Sequence, residues 1–149
     1  MTFDDLARSY LEKATKRRRV LEVLLEEEGY SDVVREAQEL VELALKGMLR
    51  FIGVDPPKWH DVGPILLEQA GAFDEPIRAH LPRLAAVSAW LRKEREFAFY
   101  GDVDFIPTEQ YGLADAERAM ADALFVLECA DQLIRRDVAD GDGRTDRRY

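Results

Sequence analysis

One cysteine, Cys129, leaves no partner for a disulfide within the 149 residues. Two histidines, His60 and His80, are too few and too separated for a structural zinc site, and neither stands in a Glu-x-x-His spacing, which excludes a ferritin-like di-iron bundle. No metal or cofactor is expected. No run of about 18 apolar residues occurs, so no membrane span is expected. The opening Met1-Thr2-Phe3-Asp4-Asp5 carries early acids, which argues against a secretory signal. With no disulfide to form, a cytoplasmic, reducing setting is the expectation. Basic charge is also short: 21 Lys and Arg stand against 30 Asp and Glu, a formal net charge of -9. That excludes nucleic-acid binding by bulk charge, though not through a local patch. There is no Gly-rich phosphate loop and no supported Ser/His/Asp or Cys/His arrangement. Cys129 lies among apolar residues on a helical pattern and reads as an inert core thiol.

What the chain does have is helical periodicity. Hydrophobic residues make up 47%, enough for one domain with its own core. Glycine and proline are sparse and fall between periodic segments. Phe3, Leu6, Ala7, Tyr10, Leu11 and Ala14 form one stripe; the helix then either continues through Leu21, Leu24 and Leu25 or breaks at its basic run, and Gly29 ends it. Ser31 is a fitting N-cap for a second helix, whose wide apolar face runs from Val33 to Ile52. Arg35, Glu39, Glu42, Lys46 and Arg50 occupy its other side. Gly53 and Pro56-Pro57 stop it. A short third helix is expected from about Asp61 to Ala70, with Pro64 in its first turn. A fourth runs from about Glu75 to Phe99 on the stripe Ile77, Leu81, Leu84, Ser88 and Leu91. After a loop from Gly101 to Pro107, a fifth begins between Thr108 and Asp115 and carries Ala116 to Ile134. No strand pattern survives. The fold expected is all-α, an antiparallel up-and-down bundle of four to five helices over residues 1–137, with a mobile polar tail over 138–149.

The stretch Gly29-Tyr30-Ser31 through Leu49, with its Ala37-Gln38 pair and a Glu-x-x-x-Lys spacing at Glu42 and Lys46, resembles the core helix of HEPN domains. Trp59-His60-Asp61-Val62 resembles the His-Asp-aliphatic start of that family's next helix. The similarity spans roughly Phe3 to Arg135. The resemblance implies a homodimer with a cleft between protomers. Many members cut RNA without a metal, using an arginine followed four to six residues on by a histidine. Many are encoded beside a minimal nucleotidyltransferase as a toxin–antitoxin pair, and others keep the fold purely as binding modules. The functions implied are therefore partnership with a nucleotidyltransferase and binding of RNA or nucleotide, a non-catalytic dimeric module, or a metal-independent endoribonuclease with an atypical motif.

The matching position is the end of the fourth helix, Arg95 to Asp102. Arg95 continues the stripe of Leu84 and Leu91, so its guanidinium needs a partner or an edge. Facing a cleft, its forked donors suit a phosphate. The residue five further on is Tyr100, and no histidine follows His80. A phenol, which titrates near pH ~10, is a poor general base at neutrality. The resemblance assigns Arg95 and Tyr100 to the catalytic position, and Asp102, His60, Asp61 and Lys46 to the cleft. In some toxin members a tyrosine near the motif is nucleotidylated by the partner, which singles out Tyr100. His60 beside Asp61 also fits a plain helix start, and His80 is expected to face solvent. The basic run Lys13, Lys16, Arg17, Arg18 and Arg19 reads first as a solvated surface balanced by Glu26-Glu27-Glu28, and second as an RNA contact. The acids Glu94 and Glu96 read as surface charges. The width of the second helix's apolar face, with Trp90, Phe97 and Phe99 on the fourth close to the expected cleft, fits dimerisation.

Overall fold

The computed structural model describes residues 3–58 and 61–145. It is built of helices α1 (Phe3–Glu26), α2 (Tyr30–Phe51), α3 (Gly63–Glu68), α4 (Ile77–Phe99), α5 (Pro107–Gln110) and α6 (Leu113–Thr145), with one 3-10 turn over Ala70–Ala72. Among the described residues the only β feature is an isolated bridge between Asp102 and Phe105. The chain is an all-α bundle, as its periodicity predicts.

The long helices alternate in direction, and named contacts show it. A Cβ built at Gly47, late in α2, would lie 3.2 Å from Tyr10 Cβ, early in α1. On α4, Arg92 reaches Glu42 and Arg95 reaches Glu39, so α4 runs opposite to α2. Arg118 covers the Trp90 ring and Phe125 meets His80, so α6 runs opposite to α4. Helix α2 sits at the centre, packed on α1, α4 and α6. Its apolar face is fully used: Val33, Val34, Ala37, Leu40, Val41, Ala44, Leu45, Met48 and Leu49 are all buried. Gly47 lets α1 approach where a side chain would intervene.

Local chemistry explains the departures from the expected boundaries. Helix α1 is continuous through its basic run because that run is solvated. Lys16 pairs with Glu12, Arg19 with Glu22 and Glu26, and Arg17 with Glu36 of α2. It ends in a Schellman turn: the Glu28 N–H donates to Leu25 O and the Gly29 N–H to Leu24 O, with Glu28 left-handed at φ 61°. That turn starts α2 at Tyr30, so Ser31 is a buried first-turn residue and not the cap; Gly29 holds the cap position. Helix α3 is shorter than expected because the Asp61 carboxylate accepts from the Gly63 N–H at 3.0 Å and starts the helix later. The fifth expected helix is two, the single turn α5 and the long α6. Of the polar stretch expected as a tail over 138–149, the part as far as Thr145 is helical, with no proline to interrupt the i to i−4 bonds propagating from the packed part of α6, and 146–149 lie outside the described residues. No helix among the described residues is long and apolar enough to cross a membrane.

Candidate functional site

Helix α2 turns its charged side toward α4, not toward bulk water. Glu42 takes the Lys46 ammonium at 3.0 Å, a hydrogen bond from Gln38 Nε2 at 3.1 Å, and Arg92 at 3.9 Å. Burial alone would raise the Glu42 carboxyl; the bonds from Lys46 and Gln38 and the charges of Lys46 and Arg92 outweigh it and hold the group below its ordinary value. Toward the start of α2, Glu39 Oε1 takes Arg95 Nη2 at 3.0 Å and Arg35 Nη2 at 3.8 Å. Acids on α2 and guanidiniums on α4 thus form one seam.

At the end of that seam the surface opens into a hollow of about 210 Å3 lined by Arg35, Arg95, Phe99 and Tyr100. The Arg35 guanidinium lies 4.5 Å from the centre of the Phe99 ring, which meets the Tyr100 ring edge-to-face at 4.6 Å between centroids. Tyr100 is 76% exposed. Two guanidiniums beside two accessible aromatic faces provide fork-shaped donors for a phosphate and a stacking surface for a base.

The loop after Tyr100 is held in shape. Gly101 is left-handed at φ 68°; Asp102 and Phe105 exchange backbone hydrogen bonds of 2.9 and 3.1 Å, and Asp102 Oδ1 accepts from the Asp104 N–H at 2.8 Å. Phe105 bridges Phe97 and Tyr111. The Tyr111 hydroxyl donates to Glu94 Oε2 at 2.7 Å, which ties the loop back to α4. Burial, and then that bond to the Glu94 carboxylate, push the Tyr111 phenol well above its ordinary value.

Of the residues assigned from sequence, Arg95 and Tyr100 come together in the hollow. Asp102 is exposed, and its Oδ1 accepts within the loop's own turn. Asp61 starts α3 and accepts from Ser88 Oγ at 2.7 Å, which ties α3 to α4. Lys46 is paired with Glu42, and seven positions past Glu39 it lies about 10 Å along the helix from the hollow. His60 lies outside the described residues. His80 does not simply face solvent: it is half-buried against Phe125, at 5.2 Å between ring centres. Glu94 is not a bare surface charge, because it receives Tyr111. The residues missed from sequence are Arg35 and Glu39; Phe99, expected close to the cleft, does line the hollow. The available signal was the Arg35/Glu39 spacing of i, i+4 on the polar side of α2. Cys129 is buried, and burial with the Glu128 charge pushes its thiol up to about 11, as an inert core thiol requires. Among the described residues no cluster of metal-ligating side chains occurs.

A family model described as HEPN domain matches residues 7–133, most of the chain. No curated protein and no solved structure matches it.

Proposed function

The chain belongs to the HEPN domain family, and from that premise we propose that it binds an RNA or nucleotide phosphate in the hollow between α2 and α4. The observation that carries this reading is the convergence of Arg35 and Arg95 with the exposed rings of Phe99 and Tyr100. A net charge of -9 gives no general attraction for nucleic acid, so the contact is local and few phosphates are neutralised. Arg95 is the phosphate ligand, and the aromatic faces take the base. Tyr100 occupies the position of the family's catalytic histidine, and a phenol is a weak base for attack by a 2′-hydroxyl. Binding without efficient cleavage is therefore the activity that these side chains favour.

The test is binding of a short single-stranded RNA by calorimetry, alongside an RNA-degradation assay. Arg95→Ala should weaken binding by roughly 10- to 100-fold, the effect of losing a charge-assisted hydrogen bond. The slope of log K against log salt should be near -1.4 for two neutralised phosphates. Unchanged affinity in Arg95→Ala removes this reading. Cleavage by the wild-type protein that disappears in the variant replaces it with an atypical endoribonuclease.

A second reading concerns partners. Phe97, Phe99, Tyr100, Val103 and Ile106 leave large apolar or aromatic surfaces exposed around the same end of α4, Val103 at 93%. Such a cluster is the kind of surface that another protein covers. A second copy of the chain is one occupant, and light scattering showing a monomer at micromolar concentration removes it. A minimal nucleotidyltransferase, as in a toxin–antitoxin pair, is the other. Incubation with such an enzyme and ATP, followed by mass spectrometry of the Tyr100 peptide, tests it; an unmodified peptide counts against it.

A further inference from the structure

Gln38 presents a separate problem in the middle of the bundle. Its side chain is 96% buried (4% exposed). Nε2 donates to Glu42 Oε2 at 3.1 Å, while Oε1 is buried with no donor among the described residues. Turning the amide over gives no relief, because Oε1 would then face the Glu42 carboxylate. A buried amide oxygen without a hydrogen bond has lost its hydration with nothing in return, so native structures rarely retain one. Gln38 lines a small cavity together with Val41, Glu42, Val62, Ser88 and Arg92, between α2, α4 and the start of α3. The cavity offers about 10 Å3 for the centre of a water molecule, which is room for one.

We propose that this cavity is a binding site for a single internal water molecule, which donates to Gln38 Oε1. The chemistry of the lining selects water over an ion. A cation would meet the charges of Arg92 and of Lys46, which is paired to Glu42 beside it. An anion would meet Glu42, the Gln38 oxygen, and a Ser88 hydroxyl whose hydrogen already points at Asp61 at 2.7 Å. Water fits both signs. One hydrogen goes to Gln38 Oε1 and the other to a lone pair of Ser88 or Glu42, while its oxygen accepts from the Arg92 guanidinium. The water thereby links α2 to α4 beside the Ser88–Asp61 bond that holds α3, and it explains a glutamine buried among the leucines and valines of α2.

The experiment is a high-resolution crystal structure of the full chain together with its Gln38→Met variant, which keeps side-chain length and helix propensity but removes the acceptor. The expected result is one ordered water within hydrogen-bond distance of Gln38 Oε1 in the wild type and none in the variant, with the Ser88–Asp61 bond intact in both. Water-selective nuclear Overhauser spectra supply the same readout in solution, as a long-lived water near the Gln38 amide hydrogens. Should the variant fail to fold, the wild-type water peak alone decides. A dry cavity, an ion in it, or Oε1 bonded to a protein donor overturns the proposal.

Discussion

Arg95 on α4 spans the seam to Glu39 on α2, Nη2 to Oε1 at 3.0 Å, and the same Glu39 oxygen lies 3.8 Å from Arg35. One carboxylate therefore occupies both guanidiniums of the hollow, and an incoming phosphate competes with it. Glu39→Gln keeps the shape and removes that competitor. Affinity for a phosphate-bearing ligand is expected to rise about fivefold, near 1 kcal/mol. Because the pair is partly exposed, folding stability should change by less than about 1 kcal/mol. Calorimetric titration of wild type and variant at one salt concentration measures the first, and urea unfolding the second. A fall in affinity would mean that Glu39 orients Arg95 instead of competing for it.

Periodicity made the apolar half of the bundle legible and left the polar half dark. The α4 stripe Ile77, Leu81, Leu84, Ser88 and Leu91 is buried as its spacing predicts, and so is the α6 series Ala116, Ala119, Ala123, Leu127, Ala130 and Ile134, with Met120 and Leu124 of the same series half-buried at its edge. The row Arg35, Glu39, Glu42 and Lys46 read as the side of α2 opposite its apolar face. It became a half-buried seam only because α4 sets Arg92 and Arg95 against it, a pairing between segments far apart in sequence. Arg95 was legible as a guanidinium on a core-facing stripe; its partner was not. Asp61 and Asp102 read as cleft residues; Oδ1 of each accepts a backbone N–H two residues on, and Asp61 Oδ1 also takes the Ser88 hydroxyl of α4, contacts that charge patterning does not register. Helix α5, a single turn, falls below the length at which periodicity speaks.

The α1–α2 turn stores strain at one residue. Glu28 is left-handed at φ 61°, a conformation that costs a side chain about 1–2 kcal/mol and glycine almost nothing. Glu28→Gly is therefore expected to stabilise the fold by about 1 kcal/mol, raising Tm by roughly 2–4 °C for a chain of this size. Glu28→Ala should give no such gain, since alanine keeps the Cβ. Thermal unfolding followed by circular dichroism compares the three proteins.

The loop beyond Tyr100 depends on a residue without a side chain. A Cβ at Gly101 would stand 2.3 Å from Phe105 O and 2.5 Å from Pro107 Cδ, on a backbone already at φ 68°. Gly101→Ala must open the Asp102–Phe105 bridge, at an expected cost of about 1–3 kcal/mol. Hydrogen exchange locates the effect: the Asp102 and Phe105 amides should lose protection while those of Leu40 and Leu45 in α2 keep theirs. Unchanged protection at Phe105 would show that the loop tolerates the side chain.

Glu42 links stability to pH with a definite sign. Its carboxyl is held below the ordinary value of 4.5 by Lys46, Gln38 and Arg92, against the opposing effect of burial. A folded-state value below the unfolded one means that the charged form favours folding. The contribution is complete above about pH 4.5 and fades as pH falls through the lower folded-state value. Glu42→Gln removes it and leaves Lys46 and Arg92 without their shared carboxylate, so the variant should be less stable at pH 7 by about 2 kcal/mol. The gap between the two proteins should hold from pH 7 to near 5 and narrow steadily in more acid solution. Urea midpoints across that range measure it. A gap that widens toward acid would mean that Glu42 is protonated more readily in the folded protein than in the unfolded one, reversing the assigned balance between its partners and its burial.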